Sequence, residues 1–242
     1  MIEVRELVRT FGDKNALKGV SFTAPAGTIT GYLGPNGAGK STTLKILTGL
    51  LAPSGGTVKI AGHDVAIAPL EVKRRIGYVP ESGALYETLT PLEYLSLVAE
   101  LHEVDPTLAR ERIEAWVERF EIQEFRNKRV ADLSKGTRQK VCLVSAFLHE
   151  PQVLLLDEPL NGLDVNATDV FRAELRRCAD EGRTILYSSH ILDVVERTCD
   201  RVVVLHDGRV VAEDTTDALL KRSGTPQHLT DVFKQLTKGT AE

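Results

Sequence analysis

Residues 34–42 read Gly34-Pro35-Asn36-Gly37-Ala38-Gly39-Lys40-Ser41-Thr42, and their types and spacing suit the binding of phosphate. Gly34, Gly37 and Gly39 let backbone N–H groups turn inward around phosphate oxygens. A helix that opens at this point adds the partial positive charge of its N-terminus. Lys40 is placed to contact the terminal phosphates of a nucleotide, and the Ser41 hydroxyl to ligate Mg²⁺. So short a pattern also arises by chance, so its value depends on a strand before it and a helix after it.

A second group of polar residues closes an apolar run, Val153-Leu154-Leu155-Leu156-Asp157-Glu158-Pro159. A buried strand that ends in a carboxylate carries it to the carboxyl edge of a parallel sheet, where ligands bind. Asp157 is the candidate Mg²⁺ holder. Glu158, one residue further, points elsewhere and is suited to activate or orient an attacking water. Between the two groups lies Leu133-Ser134-Lys135-Gly136-Thr137-Arg138-Gln139-Lys140. Ser134 has the chemistry of a helix N-cap, and Gly136 permits close backbone approach. A helix starting there offers N–H donors to an anion. Taken alone, an ordinary capped helix with a basic start is the plainer reading.

The elements that must position these groups follow from glycine and proline punctuation and from apolar periodicity. Strands are expected at 2–11, 17–22, 28–33, 57–60 and 76–79, with a helix at 41–50 directly after the glycine-rich segment. Helices at 91–103 and 106–120 each begin near a proline. In the second, Leu108, Ile113, Trp116, Val117 and Phe120 share one face, and the charged residues face solvent. Strand and helix then alternate: 153–156, 165–181, 184–188, 191–198 and 201–205. A turn at His206-Asp207-Gly208 leads into a strand at 209–213. Such alternation implies a parallel sheet covered on both faces. The chain is therefore one α/β unit with its core in 1–90 and 151–220 and a helical insertion at 91–150. The remainder, 221–242, holds a turn at Ser223-Gly224-Thr225-Pro226 and a short amphipathic piece at 229–236.

The 242 residues suffice for a sizeable core, and 42% hydrophobic with 26% charged residues is ordinary for a soluble globular protein. With 30 basic against 34 acidic residues the net charge is -4, and no nucleic-acid partner is expected. Cys142, Cys178 and Cys199 are far apart and odd in number. They read as small buried hydrophobes in a reducing compartment rather than as a disulfide framework or a zinc site. Residues 1–10 include acids and lack the apolar core of a signal peptide. The longest apolar runs fall far short of the roughly 20 residues that span a bilayer.

The phosphate loop, LSKGTRQK, LLLDEPLNGLD and Ser189-His190 after a strand occur in one order. Together they resemble the ATPase cassette of ATP-binding cassette (ABC) proteins from about Ile2 to Leu220. The resemblance implies a P-loop NTPase core with an antiparallel β subdomain near the N-terminus and an inserted α-helical subdomain. It implies that Phe11 stacks on adenine, that Gly34, Asn36, Gly37, Ala38, Gly39, Lys40, Ser41 and Thr42 hold ATP, and that Ser41 and Asp157 hold Mg²⁺. Glu158 resembles the general base and His190 the switch histidine that senses the γ-phosphate. Asn161-Gly162-Leu163-Asp164 matches the loop that connects paired sites across a dimer. Ser134 and Gly136 resemble the residues that contact ATP on the opposite protomer, so a second cassette, homo or hetero, is a partner.

Two positions depart from the family pattern. Glu81 stands where glutamine is usual, which adds a charge and a second oxygen; it is expected to keep the catalytic, metal-facing role. Lys135 and Thr137 replace the usual glycine and glutamine, while Ser134 and Gly136 remain. Glu81 and the LSKG form resemble a branch of exporters whose ATPase is a separate chain at the cytoplasmic face of the membrane, beside a multi-span permease. Asp231–Thr237 resembles that branch's ending and equally suits a plain terminal helix. Leu85, Tyr86 and Leu89 either form an exposed docking surface for the permease or pack inside the helical block. A non-transport ATPase acting on a cytosolic partner is the alternative, and a regulator without turnover is a third reading.

Overall fold

The computed structural model describes residues 1–83, 85–221 and 228–238, so Ala84 and the expected turn at Ser223-Gly224-Thr225-Pro226 lie outside the described residues. In chain order, β1 (Ile2–Phe11), β2 (Lys14–Ala24) and β3 (Thr28–Leu33) lead into α1 (Lys40–Leu47). Next come β4 (Gly55–Ile60), β5 (His63–Asp64), α2 (Pro69–Lys73) and β6 (Ile76–Val79). Three helices follow, α3 (Pro91–Leu101), α4 (Pro106–Arg119) and α5 (Lys135–Phe147). The chain then runs through β7 (Val153–Asp157), α6 (Val165–Asp180), β8 (Thr184–Ser189), α7 (Leu192–Thr198), β9 (Arg201–His206) and β10 (Arg209–Thr215). It ends with α8 (Thr216–Lys221) and α9 (Leu229–Lys238).

A four-stranded antiparallel sheet has the order β2-β1-β4-β5, and a six-stranded sheet the order β10-β9-β3-β8-β7-β6. In the larger sheet only the β9–β10 pair is antiparallel. Because side chains alternate along a strand, each strand serves two cores. Leu154, Leu156, Ile185, Tyr187, Val202 and Val204 face one core, shared with α3 to α7. Val153, Leu155, Leu186, Val203 and Leu205 face the other, shared with α1 and the antiparallel sheet. That is why these strands read as unbroken apolar runs.

Helices α3 and α4 start at the prolines where they are expected. Thr90 and Glu93 make a reciprocal cap at the start of α3, with bonds of 3.2 and 2.8 Å. Asp105 accepts from Thr107 and Leu108 at the start of α4. Trp116 stacks on Phe147 at 5.1 Å, tying α4 to α5. Ile113, Trp116, Val117 and Phe120 are buried as a shared face requires, but Leu108 is 39% exposed and Ala109 is buried in its place. Helical spacing explains the exchange: 109, 113 and 116 are separated by four and three residues, while Leu108 lies about 100° round the helix from Ala109.

Several element ends also differ from expectation. β2 begins at Lys14 rather than 17, because Gly12 and Asp13 make a hairpin tight enough to pair Phe11 with Lys14. α1 stops at Leu47, where Gly49 takes φ 71° and Leu50 N–H returns to the Lys45 carbonyl. β5, α2 and α8 are too short to have left a periodic signal. Asp231–Thr237 lies within α9, which packs on α7, α8 and β10 through buried Leu229 and Val232. All three cysteines are buried, and burial pushes Cys142 up to about 12 and Cys178 up to about 11.

The carboxylate of Glu174 in α6 is fully buried and bridges α4 to α6. It accepts from Arg119 at 3.0 Å and pairs with Arg177. Burial works against its ionisation, but Arg177 and then Arg119 outweigh it and hold the carboxyl below its usual range. A carboxylate whose pKa is depressed on folding stabilises the fold above its ordinary pKa, and that stability is lost as pH falls through the folded value. Glu174→Gln is therefore expected to cost about 2 kcal/mol at pH 7. The gap from wild type should narrow toward pH 4. Urea unfolding at the two pH values checks this, and a gap independent of pH would remove the ion pairs as its cause.

Candidate functional site

The glycine-rich loop leaves the carboxyl end of β3 and enters α1 at Lys40. Gly39 takes φ 112°, and a Cβ there would lie 2.6 Å from Leu17 Cδ2 and 3.0 Å from the Ala16 carbonyl oxygen. A Cβ on Gly34 would lie 2.4 Å from the Leu205 carbonyl oxygen. Both contacts hold the loop backbone tightly between β2 and the end of β9, and neither leaves room for a side chain. Lys40 is 8% exposed and donates to the Gly34 and Pro35 carbonyls at 2.7 and 3.3 Å. Burial pulls its ammonium pKa down, while Glu158, Asp157 and Glu81 oppose that shift.

Strands β7 and β8 bring the acidic residues to the same edge. Asp157 pairs in register with Ser188, and Leu33 at the end of β3 with Ser189. Asp157 is 3% exposed. Burial raises its carboxyl pKa, the neighbouring Ser41 and Ser188 hydroxyls oppose that rise, and Glu81 and Glu158 add to it. Glu158 turns off the strand with φ 49°, a left-handed conformation uncommon for a side chain of this type. Its carboxylate accepts from His190 Nδ1 at 2.6 Å and from Ser189 Oγ at 3.1 Å. A carboxylate held by a histidine beside a second carboxylate and a lysine has the makings of a proton-accepting site.

Phe11, Asn36, Gly37, Gly39, Lys40, Ser41, Thr42, Glu81, Asp157, Glu158 and His190 all line one cleft of about 470 Å³. Phe11 stands at its rim, 46% exposed, with the Arg9 guanidinium 4.5 Å over its ring. Gly34 and Ala38 are buried and do not line the cleft: the Gly34 carbonyl receives Lys40, and the Ala38 carbonyl receives the Gly208 N–H at 3.0 Å. Ser134 and Gly136 lie outside it. Ser134 caps α5 by accepting from Thr137 N–H at 3.2 Å. A Cβ on Gly136 would come within 2.5 Å of the Gly162 carbonyl oxygen, so α5 begins directly against the loop that follows Glu158.

Sequence reasoning missed Lys14 and Ala16, which also line the cleft. They come from the β1–β2 hairpin, and nothing in their types announces it. Ser189 as a partner of Glu158 was missed too, although its place beside His190 was a signal.

Residues 17–161 match the family model described as ABC transporter. The chain belongs to the ABC transporter family. It is 38% identical to ABC transporter ATP-binding protein NatA of Bacillus subtilis (strain 168) over 90% of this chain and 91% of that one. It is 36% identical to the daunorubicin/doxorubicin resistance ATP-binding protein DrrA of Streptomyces peucetius, covering 93% of this chain and 68% of that one. Among solved structures, the ATP-binding subunit of an ABC transporter superposes with a TM-score of 0.93 at 35% identity, covering 98% of this chain and 99% of that one. The dimeric bacterial ABC transporter cassette MJ0796 gives 0.82 at 28% identity, over 89% of this chain and 99% of that one. A post-hydrolysis MJ0796 dimer bound to ADP and Pi gives 0.81 at 26%, with the same coverage. This ABC transporter chain is an ATP-binding subunit with the P-loop NTPase fold: a mainly parallel sheet flanked by helices, plus an antiparallel β subdomain. No helix among the described residues is long and apolar enough to cross a membrane.

Proposed function

We propose that this chain hydrolyses ATP as one of two cassettes that close around two nucleotides, and that the motion powers export through a separate membrane permease. The observation that carries the proposal is the convergence of Lys40, Asp157, Glu158 and His190 on one cleft. Phe11 offers a ring face at the rim for the adenine, and stacking of that kind tolerates Phe where Tyr is usual. The loop N–H groups and Lys40 receive the phosphates, whose charge relieves an ammonium that burial disfavours. Glu158 Oε accepts the proton of an attacking water, and His190 Nδ1 holds that carboxylate in place.

The donor set suits Mg²⁺. The Ser41 hydroxyl and the carboxylates of Asp157 and Glu81 are all hard oxygen donors, and burial disfavours the Asp157 anion, which a cation would stabilise. Among the described residues no cluster of three His, Cys, Asp or Glu forms a self-sufficient metal cage. Mg²⁺ in nucleotide sites is held by few protein groups and completed by substrate phosphates. When bound, the ion would neutralise charge on the transferring phosphate.

Ser134 and Gly136 lie apart from the chain's own cleft, so they are available to nucleotide on a second protomer. The dimeric MJ0796 cassettes support that arrangement. ATP that touches both protomers favours the closed pair, and loss of the γ-phosphate releases it. Export is favoured over import by the name of DrrA, a drug-resistance protein. The permease is assigned to the loop before α3, where Tyr86 is 63% exposed while Leu85 packs against the core. The chain thereby works at the cytoplasmic face of the membrane.

Glu158→Gln should bind ATP normally, lose hydrolysis by at least about a hundredfold, and accumulate as an ATP-bound dimer on size-exclusion chromatography. Near-normal phosphate release by that variant would remove Glu158 as the base. Affinity isolation of the chain from detergent-solubilised native membranes should recover a multi-span protein in about equal amount. Tyr86→Asp should lose that protein while ATP affinity stays within about twofold. Equal losses of both would sink the docking site, and reproducible recovery of a soluble partner alone would replace transport with a cytosolic role.

A further inference from the structure

The proposed reaction requires Glu158 to keep a conformation that an ordinary residue avoids. Left-handed backbone at a non-glycine residue persists only where the surroundings enforce it. At Glu158, with φ 49°, the two flanking polar groups are both held. On one side the Glu158 N–H donates to the Ser188 carbonyl at 3.0 Å. On the other, Gln139 Nε2 donates to the Pro159 carbonyl at 2.9 Å. Gln139 belongs to α5, 20 residues away in sequence, and is 4% exposed. An amide buried so deeply that loses its acceptor stays unsatisfied, so this bond constrains the loop strongly.

A second contact from the next residue of α5 holds the far end of the same loop. Lys140 Nζ lies 2.8 Å from Asp164 Oδ2, and the lysine side chain is only 13% exposed. Asp164 has two separable duties, since its Oδ1 also accepts from Ala167 N–H at 2.8 Å and caps α6. Between these two bonds the backbone of Gly136 abuts Gly162 with no room for a side chain.

We propose that Gln139 and Lys140 are positioning residues that clamp the loop from Glu158 to Asp164 onto α5, so that the general base keeps its aim and moves with the Ser134–Gly136 end of that helix. The proposal rests on Glu158 being the base. Neither residue lines the cleft, and neither is expected to touch nucleotide.

Steady-state ATP hydrolysis by the full chain tests this with Gln139→Met, Lys140→Met, Asp164→Asn, Lys140→Arg and the Lys140→Met/Asp164→Asn double variant. Gln139→Met keeps the volume and removes the donor. Asp164→Asn keeps a good helix cap and removes the charge. Gln139→Met should lower kcat about tenfold, and Lys140→Met about threefold, with KM for ATP within about twofold of wild type. The double variant should be no slower than the slower single variant, and Lys140→Arg should restore most of kcat. Unchanged kcat in Gln139→Met and Asp164→Asn would overturn the clamp. So would a loss that appears equally in KM and in thermal midpoint, or one that adds in full in the double variant. Near-normal hydrolysis by Glu158→Gln would instead withdraw the base itself, a separate result that takes the clamp down with it.

Discussion

The close approach of the phosphate loop to its neighbours is the constraint on which the rest of the cleft depends. Gly34 lies against the Leu205 carbonyl and Gly39 against Leu17, at distances no Cβ tolerates. These neighbours belong to the second core, between the six-stranded sheet and the antiparallel sheet. The loop is therefore set by packing on both sides before any ligand arrives, and α1 is launched in one direction. Preorganisation of this kind matters because donors that must be reordered on binding subtract from affinity.

Parallel strands then do for charge what the loop does for shape. β3, β8 and β7 are neighbours in register, so their carboxyl ends deliver Lys40, His190, Asp157 and Glu158 to one edge. The result is electrostatically unfinished. Three carboxylates surround a buried lysine whose ammonium is already turned to the Gly34 and Pro35 carbonyls. Burial raises Asp157 and lowers Lys40, so it disfavours the charged form of each. A polyanion with its divalent cation supplies charge of both signs at once, whereas either alone worsens one half of the imbalance.

Much of this was legible because the relevant signals are local. The order of strands and helices follows from Gly and Pro punctuation, and the unbroken Val153–Leu156 run follows from a strand covered on both faces. What could not be read was set by distant partners or by fine spacing. The exchange of Leu108 for Ala109 on the buried face of α4 turns on a single residue of helical phase. The left-handed backbone of Glu158 leaves no mark in the sequence, because a glycine would have announced it and a glutamate does not. Lys14 reaches the cleft only because a tight hairpin folds it back beside Phe11. Gln139 finds Pro159 across 20 residues, and no periodic pattern encodes that pairing.

Helix α5 is where these separate contacts become one mechanical unit. Arg138 reaches Glu87 at 3.6 Å and the Ala131 carbonyl at 2.6 Å, on the side of the loop that carries Tyr86. Gln139 reaches the loop beside Glu158, and Lys140 reaches Asp164. Three consecutive side chains on a helix point about 100° apart, so one turn can address three surroundings at once. The same helix presents Ser134 and Gly136 at its start. Rigid helices transmit displacement with little loss, whereas the loops they touch can each take more than one arrangement. A permease pressing on the Tyr86 loop and a nucleotide pressing on Ser134 would thus act on one body, to which the Glu158 loop is also attached. Under the proposed function, that attachment would couple hydrolysis to transport without any contact between permease and nucleotide.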